Sequence, residues 1–315
     1  MLNNALQHAK TVAISGHVRP DGDCIGSCMG LYLYIKEVYP DTEVDVFLEE
    51  VPSYFQMFDV IKDVKHEIQQ NKEYDLFVAL DCADVSRLGF SEPLFHHAKT
   101  TLCVDHHISN PSYAKTNYII PEASSTSELV YGLIDKDKIT KSIAECLYLG
   151  ISHDTGIFQY SCTSPETMEV AADLMRKEIR ASEIIDKTYY EKTYAQNRIL
   201  GKALLDSKMF LNGKCIVYTE MRSYCQKEMM DEFQVISSDL EGIVSQLRNT
   251  QGVEAAIFLY QIGEQEYKVS LRASNFVDVS KVASAFGGGG HVKAAGVTMC
   301  GEIPEIVDKL VEEIG

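Results

Sequence analysis

Short apolar strands alternate with helical segments through the first half of the chain, and this alternation is the feature that most restricts its fold. The pattern predicts strands at Thr11–Ser15, Val44–Leu48, Tyr74–Leu80 and Thr101–Val104. A helix with an apolar stripe is predicted over Ile25–Val38. Strands that are separated by helices form a mostly parallel sheet with helices on both faces, because parallel neighbours need long crossover connections. We therefore expect an α/β fold.

The length of 315 residues is enough for two domains. Helical, polar segments without strand signals follow residue 180, and the strand pattern resumes near residue 208. We predict a catalytic domain over 1–185, a helical linker over 186–207 and a smaller α/β domain over 208–315. In the second domain the pattern predicts a strand at Cys215–Thr219, a helix at Ser237–Leu247 and a hairpin of two strands that ends at Arg272.

Aspartate and histidine side chains follow the predicted strands, and one aspartate follows a predicted apolar helix. These residues are His17, Asp21, Asp23, Asp81, Asp105, His106, His107 and Asp154. Because ligands bind at the carboxyl ends of parallel strands, we expect the group to meet at one edge of the sheet. A single aspartate there is as readily explained by a helix cap or a turn. Four separate segments that deliver such residues to one edge favour a site.

Clustered carboxylates repel each other unless positive charge lies between them. The donors are aspartate oxygens with histidine nitrogens and no cysteine pattern, a mixture that favours manganese or magnesium over a thiolate zinc site. The group has more donors than one ion needs. We therefore predict two divalent ions, about 3.5–4 Å apart, as in two-metal phosphatases and nucleases.

The charge balance restricts the partners of the chain. It carries 46 acidic and 29 basic residues, a formal net charge of −17. A protein that binds long duplex nucleic acid needs a broad basic face, so that class is disfavoured. Bound metal ions can invert the local charge, so a short phosphorylated ligand remains compatible. Nine cysteines without a CxxC pair, no long apolar stretch and no signal-like segment predict a cytoplasmic protein without membrane contact.

A run of four glycines, Gly287–Gly290, precedes His291 near the end of the chain. Residues from His291 onward are interpreted as the start of a helix, where backbone N–H groups suit a phosphate. A flexible linker is the alternative interpretation of such a run. Arg272, at the end of a predicted strand, and Arg248 are candidate phosphate ligands, with a surface charge as the alternative for each.

Five motifs in this order resemble those of a known family: HVRPDGD, ALDCAD, VDHHIS, GISHDTG and FGGGGHVKAAG. The first four resemble the signatures of the DHH phosphoesterase superfamily, and the fifth resembles that of the DHH-associated C-terminal domain. The two-domain layout is similar to the nano-RNase group. Its members are bifunctional oligoribonucleases and phosphatases of adenosine 3′,5′-bisphosphate (pAp).

The resemblance implies a role for each residue of the group. His17 and Asp21 would bind one manganese ion, and Asp23 would bind the other together with His106 and Asp154. Asp81 would bridge the two ions. Among the catalytic residues, Asp105 would hold a histidine ring in its correct tautomer, and His107 would face the attacking water or the phosphate. The substrate would be bound, in a cleft between the domains, by Arg272, Gly288, Gly289, Gly290, His291 and Arg248.

The function that the resemblance implies is manganese-dependent hydrolysis of short oligoribonucleotides and of pAp by metal-activated water. A phosphodiesterase of pApA or cyclic-di-AMP is the alternative, since the motifs are shared. An inorganic pyrophosphatase and a non-catalytic nucleotide sensor are less compatible with the motifs. A nucleophilic cysteine, Cys82 or Cys103, would need a positive, metal-free pocket. A homodimer is a possible assembly.

Overall fold

The computed structural model describes residues 2–68, 72–213, 215–218, 234–240 and 242–315. The chain divides into two compact units, Met1–Glu191 and Lys192–Gly315. The second unit therefore begins before helix α8 (Tyr194–Asp206), and Ile199 and Ala203 of that helix pack in a core of the second unit.

The first unit is built on a six-stranded sheet in which all pairs are parallel. The strands are β1 (Thr11–Ser15), β2 (Glu43–Phe47), β3 (Val64–Lys65), β4 (Leu76–Leu80), β5 (Thr100–Asp105) and β6 (Thr116–Ile119). Their order across the sheet is β3-β2-β1-β4-β5-β6. Every residue of β4 is buried, because helices and loops cover both faces of the sheet at its centre.

Seven α-helices belong to the described part of this unit. They are α1 (Leu2–Gln7), α2 (Gly22–Val38), α3 (Glu92–His97), α4 (Thr126–Leu133), α5 (Lys141–Asp154), α6 (Pro165–Met175) and α7 (Ala181–Ile185). Helices α2, α4 and α5 pack together in the larger core, and residues of α3 contribute to a smaller core with Phe47 and Phe77.

The strand order reverses between β1 and β4, which are neighbours in the sheet but not in sequence. From β1 the chain proceeds to β2 and β3 on one side, and from β4 it proceeds to β5 and β6 on the other. In open α/β sheets the loops diverge at such a reversal and leave a crevice outside the carboxyl ends of the strands. The loop that starts at Gly16 and the residue Asp81 both lie at this point.

The second unit holds a mixed six-stranded sheet with the order β11-β12-β10-β9-β8-β7. Its strands are β7 (Lys208–Phe210), β8 (Cys215–Tyr218), β9 (Ala255–Gly263), β10 (Glu266–Ala273), β11 (Gly289–His291) and β12 (Ala294–Cys300). Among its described residues, the helices besides α8 are α9 (Ile243–Arg248), α10 (Val279–Ala285) and α11 (Ile303–Ile314). Two cores form, one between the sheet and α10 with α11, the other between the sheet and α8 with α9.

The predicted fold, a parallel sheet flanked by helices with a smaller second α/β domain, is confirmed. The single helix predicted over Ser237–Leu247 is wrong in its extent, because Ser237–Leu240 is a short 3-10 helix and α9 begins at Ile243. Gly242 precedes α9 with a left-handed backbone (φ 85°), which interrupts the helix. Residues 219 and 241 of the predicted elements lie outside the described residues.

Among the helices of the described ranges, none combines the length and the apolar character that crossing a bilayer requires.

Candidate metal centre

Helix and strand ends place the predicted ligands at the carboxyl edge of the parallel sheet. His17 lies two residues after β1, and Asp81 directly follows β4. Asp105 is the last residue of β5, and Asp154 is the last residue of α5. Asp21 is the N-cap of α2, where its Oδ1 accepts hydrogen bonds from the next backbone N–H groups. The predicted site residues of the first unit are therefore brought together by the fold.

A first group of donors consists of His17, Asp21 and Asp81. Nε2 of His17 lies 3.5 Å from Oδ2 of Asp21 and 3.5 Å from Oδ2 of Asp81. The other ring nitrogen of His17, Nδ1, lies 2.9 Å from the carbonyl oxygen of Val18 and must therefore donate to it. This bond fixes the tautomer that presents Nε2 as a lone-pair donor to a metal ion.

A second group consists of Asp23, His106 and Asp154. Nε2 of His106 lies 3.0 Å from Oδ2 of Asp154, and the ring is turned so that Nδ1 faces the carbonyl oxygen of Ala123. Both histidines thus aim Nε2 at carboxylates and Nδ1 at backbone. Two adjacent groups of this composition match the donor chemistry of hard to borderline divalent ions.

Asp81 connects the two groups. Its Oδ2 faces Nε2 of His17, while its Oδ1 lies 3.6 Å from Nε2 of His106. The residue is buried and has a positive φ of 52°, a left-handed conformation that is uncommon outside glycine. Such local strain is typical of functional positions that the surrounding fold holds in place. A carboxylate whose two oxygens face two separate donor groups has the arrangement of a bridging ligand.

The start of α4 holds Asp23. The carboxylate of this residue accepts hydrogen bonds from the backbone N–H groups of Thr126 (2.6 Å) and Ser127 (2.9 Å). Gly150 of α5 leaves the room for this approach, since a Cβ there would lie 1.9 Å from Oγ of Ser127 and 2.6 Å from Oδ1 of Asp23. Donation by a helix N-terminus favours the charged form of the carboxylate.

Asp105 belongs to none of the donor groups. Its Oδ1 accepts hydrogen bonds from the backbone N–H of His106 and from Nδ1 of His107, the latter at 2.7 Å. Its Oδ2 accepts one from Nδ2 of Asn110 at 2.7 Å. With Nδ1 of His107 donating to Asp105, Nε2 is the ring nitrogen that can reach a substrate. Nδ1 of His107 also lies 3.6 Å from Oδ1 of Asp81, so the ring borders the donor groups.

Burial and mutual repulsion disturb the ionisation of the carboxylates. Burial and the nearby charge of Asp81 raise the pKa of Asp23 to about 7. Burial raises the pKa of Asp154 to about 6, although the hydrogen bond with His106 opposes the shift. Burial also raises the pKa of Asp81. Without added positive charge the three groups resist ionisation together, so divalent ions would relieve a real electrostatic cost.

The nearby carboxylates raise the pKa of the His106 and His107 rings and thereby favour their charged forms. Burial lowers the pKa of His106, but the charges of Asp154 and Asp23 outweigh it and raise the pKa to about 10. The hydrogen bond with Asp105 raises the pKa of His107. Burial alone would raise the pKa of Asp105, yet the bonds from His107 and Asn110 hold it below its ordinary value. Asp105 is therefore an ionised partner for the His107 ring.

The buried thiols near the site do not have the properties of a nucleophile. Burial raises the pKa of Cys82 and of Cys103 to about 12 in each case. Both thiols therefore stay protonated near neutral pH, whereas the nucleophile would have to be a thiolate.

Comparisons with known proteins agree with this geometry. The family model described as DHH family, N-terminal domain, matches residues 11–151, and the DHHA1 domain matches residues 213–315. The chain therefore contains a DHH domain followed by a DHHA1 domain. It is accordingly a hydrolase of the DHH phosphoesterase type. All the donor residues except Asp154 lie within the first matched range, and Asp154 follows it by three residues.

Three relatives extend over nearly the whole chain. The bifunctional oligoribonuclease and PAP phosphatase NrnA of Thermus thermophilus is 27% identical over 96% of this chain and 89% of its own length. The protein of the same name from Bacillus subtilis is 24% identical over 92% and 89%. The crystal structure of an exopolyphosphatase-related protein from Bacteroides fragilis is 27% identical, covers 99% of this chain and 94% of its own, and superposes with a TM-score of 0.90.

The glycine-rich run of the DHHA1 domain does not begin a helix, and the prediction of a helix from His291 is wrong. His291 is the last residue of β11, which pairs antiparallel with β12. A Cβ at Gly288 would lie 2.4 Å from the carbonyl oxygen of Gly296, and one at Gly290 would lie 2.5 Å from that of Ala294. Gly288 and Gly290 are therefore required by close strand pairing, which local sequence patterns do not reveal.

Sequence reasoning missed two contributors to the site. Asn110 supports Asp105, and nothing in the local sequence separates it from an ordinary loop asparagine. The backbone N–H groups of Thr126 and Ser127 that hold Asp23 were also missed. Ser125 is the N-cap of α4, so the hydroxyl-rich run from Ser124 to Ser127 is the sequence signal that could have located the helix end that Asp23 meets.

Proposed function

We propose that the chain is a manganese-dependent phosphoesterase that hydrolyses short oligoribonucleotides and removes phosphate from pAp through two-metal activation of water. The relatives that are named as bifunctional oligoribonucleases and PAP phosphatases support the substrate class. The observation that carries the metal proposal is the position of Asp81, whose two oxygens face two separate donor groups.

The donor residues fit the proposed ions. His17, Asp21 and Asp81 would hold one ion, and Asp23, His106 and Asp154 the other, with Asp81 shared. Bound ions of this kind acidify water and stabilise charge on the phosphate. Because burial raises the pKa of Asp23 to about 7 and that of Asp154 to about 6, protons would compete with the ions for these carboxylates as pH falls below those values.

His107 and Asp105 supply the proton chemistry in this proposal. Asp105 orients the ring through Nδ1 and stabilises its protonated form. A protonated His107 can donate from Nε2 to the oxygen that leaves the phosphorus. Asp105 itself acts through the ring, as a positioning residue, because its oxygens are already engaged by donors.

The DHHA1 domain would bind the 5′-phosphate of the substrate. Arg272 on β10 pairs with Ala294 on β12, which in turn pairs with His291 on β11. Residues paired directly across antiparallel strands project to the same face, so Arg272 and His291 share a face with only a small alanine between them. A guanidinium and an imidazole in this arrangement suit a terminal phosphate.

Arg248 is a weaker phosphate candidate in the same proposal. It ends α9 and lines a separate cavity of about 460 Å³ together with Glu254 and Asn275. The carboxylate of Glu254 accepts hydrogen bonds from the backbone N–H groups of Asn275 and Phe276, so it orders the loop that closes this cavity.

The test is a side-by-side measurement of kcat/KM on a 5′-phosphorylated diribonucleotide, pAp, pApA, cyclic-di-AMP and pyrophosphate, with manganese and with magnesium. The proposal expects the diribonucleotide and pAp to be hydrolysed best, with manganese more effective than magnesium. Preference for cyclic-di-AMP or pApA would replace it with the cyclic-dinucleotide alternative. Preference for pyrophosphate would reject both nucleotide assignments.

A cytoplasmic location and a homodimer stay predictions. The buried, unpaired thiols Cys24, Cys82 and Cys103 support a reducing compartment.

A further inference from the structure

A large concavity lies in the first unit, and one of its wall residues, Glu49, contacts the loop between His17 and Asp21. It has a volume of about 920 Å³, within the range of small-molecule sites. It lies beyond the carboxyl ends of β2 and β3, on the opposite side of β1 from the strands that carry Asp81 and Asp105. Its wall includes two carboxylates, an imidazole and apolar side chains: Glu49, Glu50, His66, Phe58, Ile61 and Phe90.

The register of the strands places this cavity next to the first donor group. Ser15 pairs with Phe47, and Phe47 pairs with Lys65, so the three strands end side by side. His17 and Glu49 each lie two residues beyond the ends of β1 and β2, which are neighbouring strands about 5 Å apart. Oε2 of Glu49 also accepts a hydrogen bond of 2.8 Å from the backbone N–H of Arg19, in the loop that joins His17 to Asp21.

The wall of the cavity offers mainly hydrogen-bond acceptors. Glu49 and Glu50 contribute carboxylate oxygens. Nδ1 of His66 lies 3.0 Å from the carbonyl oxygen of Leu48 and donates to it, which leaves Nε2 as an acceptor. The cation at the rim, Lys62, is paired with a carboxylate of its own turn at 2.9 Å. Such a wall suits hydroxyl and amino groups over an apolar floor, and it repels a phosphate.

The two substrates of the proposed function differ by one group. In pAp the phosphate on the 3′-oxygen ends the molecule, whereas in a diribonucleotide the same phosphate is esterified to a second nucleoside. We propose that the cavity binds this second nucleoside, with the ribose hydroxyls on the carboxylates and the base against Phe58, Ile61 and Phe90. This inference rests on the proposed function, and it identifies the subsite that lets one centre perform both reactions.

The chemistry is the same whether or not the cavity is filled. The oxygen of water forms a bond to phosphorus, the bond between phosphorus and the 3′-oxygen breaks, and that oxygen takes up a proton. With a nucleoside in the cavity the products are two nucleoside 5′-monophosphates. With the cavity vacant the products from pAp are adenosine 5′-monophosphate and inorganic phosphate. The acidic wall disfavours a further phosphate on the second nucleoside, which limits substrate length.

The decisive variant is Gln56→Trp. Gln56 is exposed on the 3-10 turn Ser53–Met57 and lines the cavity, so an indole there fills the space without disturbing a core. We expect kcat/KM for a 5′-phosphorylated diribonucleotide to fall about tenfold or more, the loss of roughly one good contact. The kcat/KM for pAp should stay within about twofold of the wild-type value, since pAp lacks the group that enters the cavity.

Equal loss on both substrates, or no loss on either, would overturn the inference. A wild-type protein that is inactive on both substrates would instead overturn the proposed function, so the two failures are distinguishable. The melting temperature of each variant, measured in parallel, distinguishes a blocked cavity from a destabilised protein.

A charge variant tests the acidic wall independently. Glu50→Lys should raise kcat/KM for a diribonucleotide that carries a 3′-phosphate on its second nucleoside by about threefold or more, the size expected for one exposed charge. Glu37→Lys makes the same charge change on the exposed end of α2, outside the cavity wall, and serves as the matched control. Equal effects of the two substitutions would show that overall charge, and not the cavity, determines the preference.

Discussion

Asp81 has three properties that would each be unfavourable in an ordinary core residue. It is buried, its backbone is left-handed, and burial raises its pKa while other carboxylates stand nearby. Strain of this kind costs about 1–3 kcal/mol and persists only where the surrounding structure enforces it. The parallel pairing of β4 with β1 and β5 provides that enforcement, because Asp81 directly follows the most buried strand of the sheet.

Asp105→Asn should change the pH dependence of turnover. The variant keeps an oxygen for the backbone N–H groups but removes the charge that raises the pKa of His107. If protonated His107 donates to the leaving oxygen, activity is lost as pH rises through its pKa. The alkaline limb of the plot of kcat against pH should therefore move to lower pH in the variant, with kcat at neutral pH reduced by about 10²-fold. The measurement is kcat against pH at saturating manganese.

The comparison variant is Asn110→Ala, which removes a hydrogen bond to Asp105 but leaves its charge in place. The alkaline limb of its kcat profile should stay near the pH at which it lies in the wild type. An alkaline limb that is the same in wild type and Asp105→Asn would show that His107 is not the acid.

At the scale of elements, the strand ends could be predicted from the sequence because two strong signals coincide there. Apolar runs mark buried parallel strands, and the Asp and His residues that follow them cannot belong to those runs. Asp81 after β4 and the residues Asp105–His107 at the end of β5 were predicted on this basis. Spacing alone could not separate the residues that would contact a metal ion from those that orient them. That distinction depends on ring orientation and on partners such as Asn110.

Elements that depend on distant partners were not predicted. The edge strands β3 and β6 are short and only partly buried, so their sequences show no distinct apolar run. The strand β11 consists largely of glycine, which has no side-chain pattern to interpret. Its conformation comes from pairing with β12, a contact that only the folded chain supplies.

The hairpin β11–β12 gives a matched pair of glycine variants. Gly290→Ala should lower the unfolding free energy by about 1–3 kcal/mol, because φ is 147° and a Cβ there would lie 2.5 Å from the carbonyl oxygen of Ala294. In Gly289→Ala the added Cβ would meet no atom of the described residues within 4 Å, so this variant should cost far less. Chemical denaturation of both variants measures the difference. Equal costs would mean that the hairpin is not held as described.

At the scale of the whole molecule, part of the net charge of −17 is concentrated at the candidate metal centre. Four aspartates, Asp21, Asp23, Asp81 and Asp154, are gathered in one place, where two divalent ions would neutralise them. The remaining acidity is compatible with short nucleotides, since a long strand would need a continuous basic groove.

If manganese binds the two donor groups as proposed, the stabilisation that it gives should grow as pH rises from 5 to 8. Asp23 and Asp154 have pKa values of about 7 and about 6, and both hold protons more tightly in the folded than in the unfolded state. Their contribution to metal-free stability is therefore lost as pH rises toward 7, while the same loss of protons frees the ligands for metal. Melting temperature with manganese and with a chelator, across this range, measures the shift.

Asp81→Asn is the control for this pH series. Asparagine tolerates a left-handed backbone, yet it lacks the charge that the two donor groups share. The manganese-induced shift should become small at every pH. A shift that is independent of pH in the wild type, or one that persists in full in the variant, would contradict the two-group centre.

The hydrogen bonds from the start of α4 to Asp23 have a consequence for solution measurements. The amide protons of Thr126 and Ser127 point at a carboxylate whose charge depends on pH and on bound metal. Their rates of exchange with solvent deuterium therefore report the state of the centre without any substrate. These two backbone amides would thus report metal occupancy even in a variant that lacks the His107 side chain.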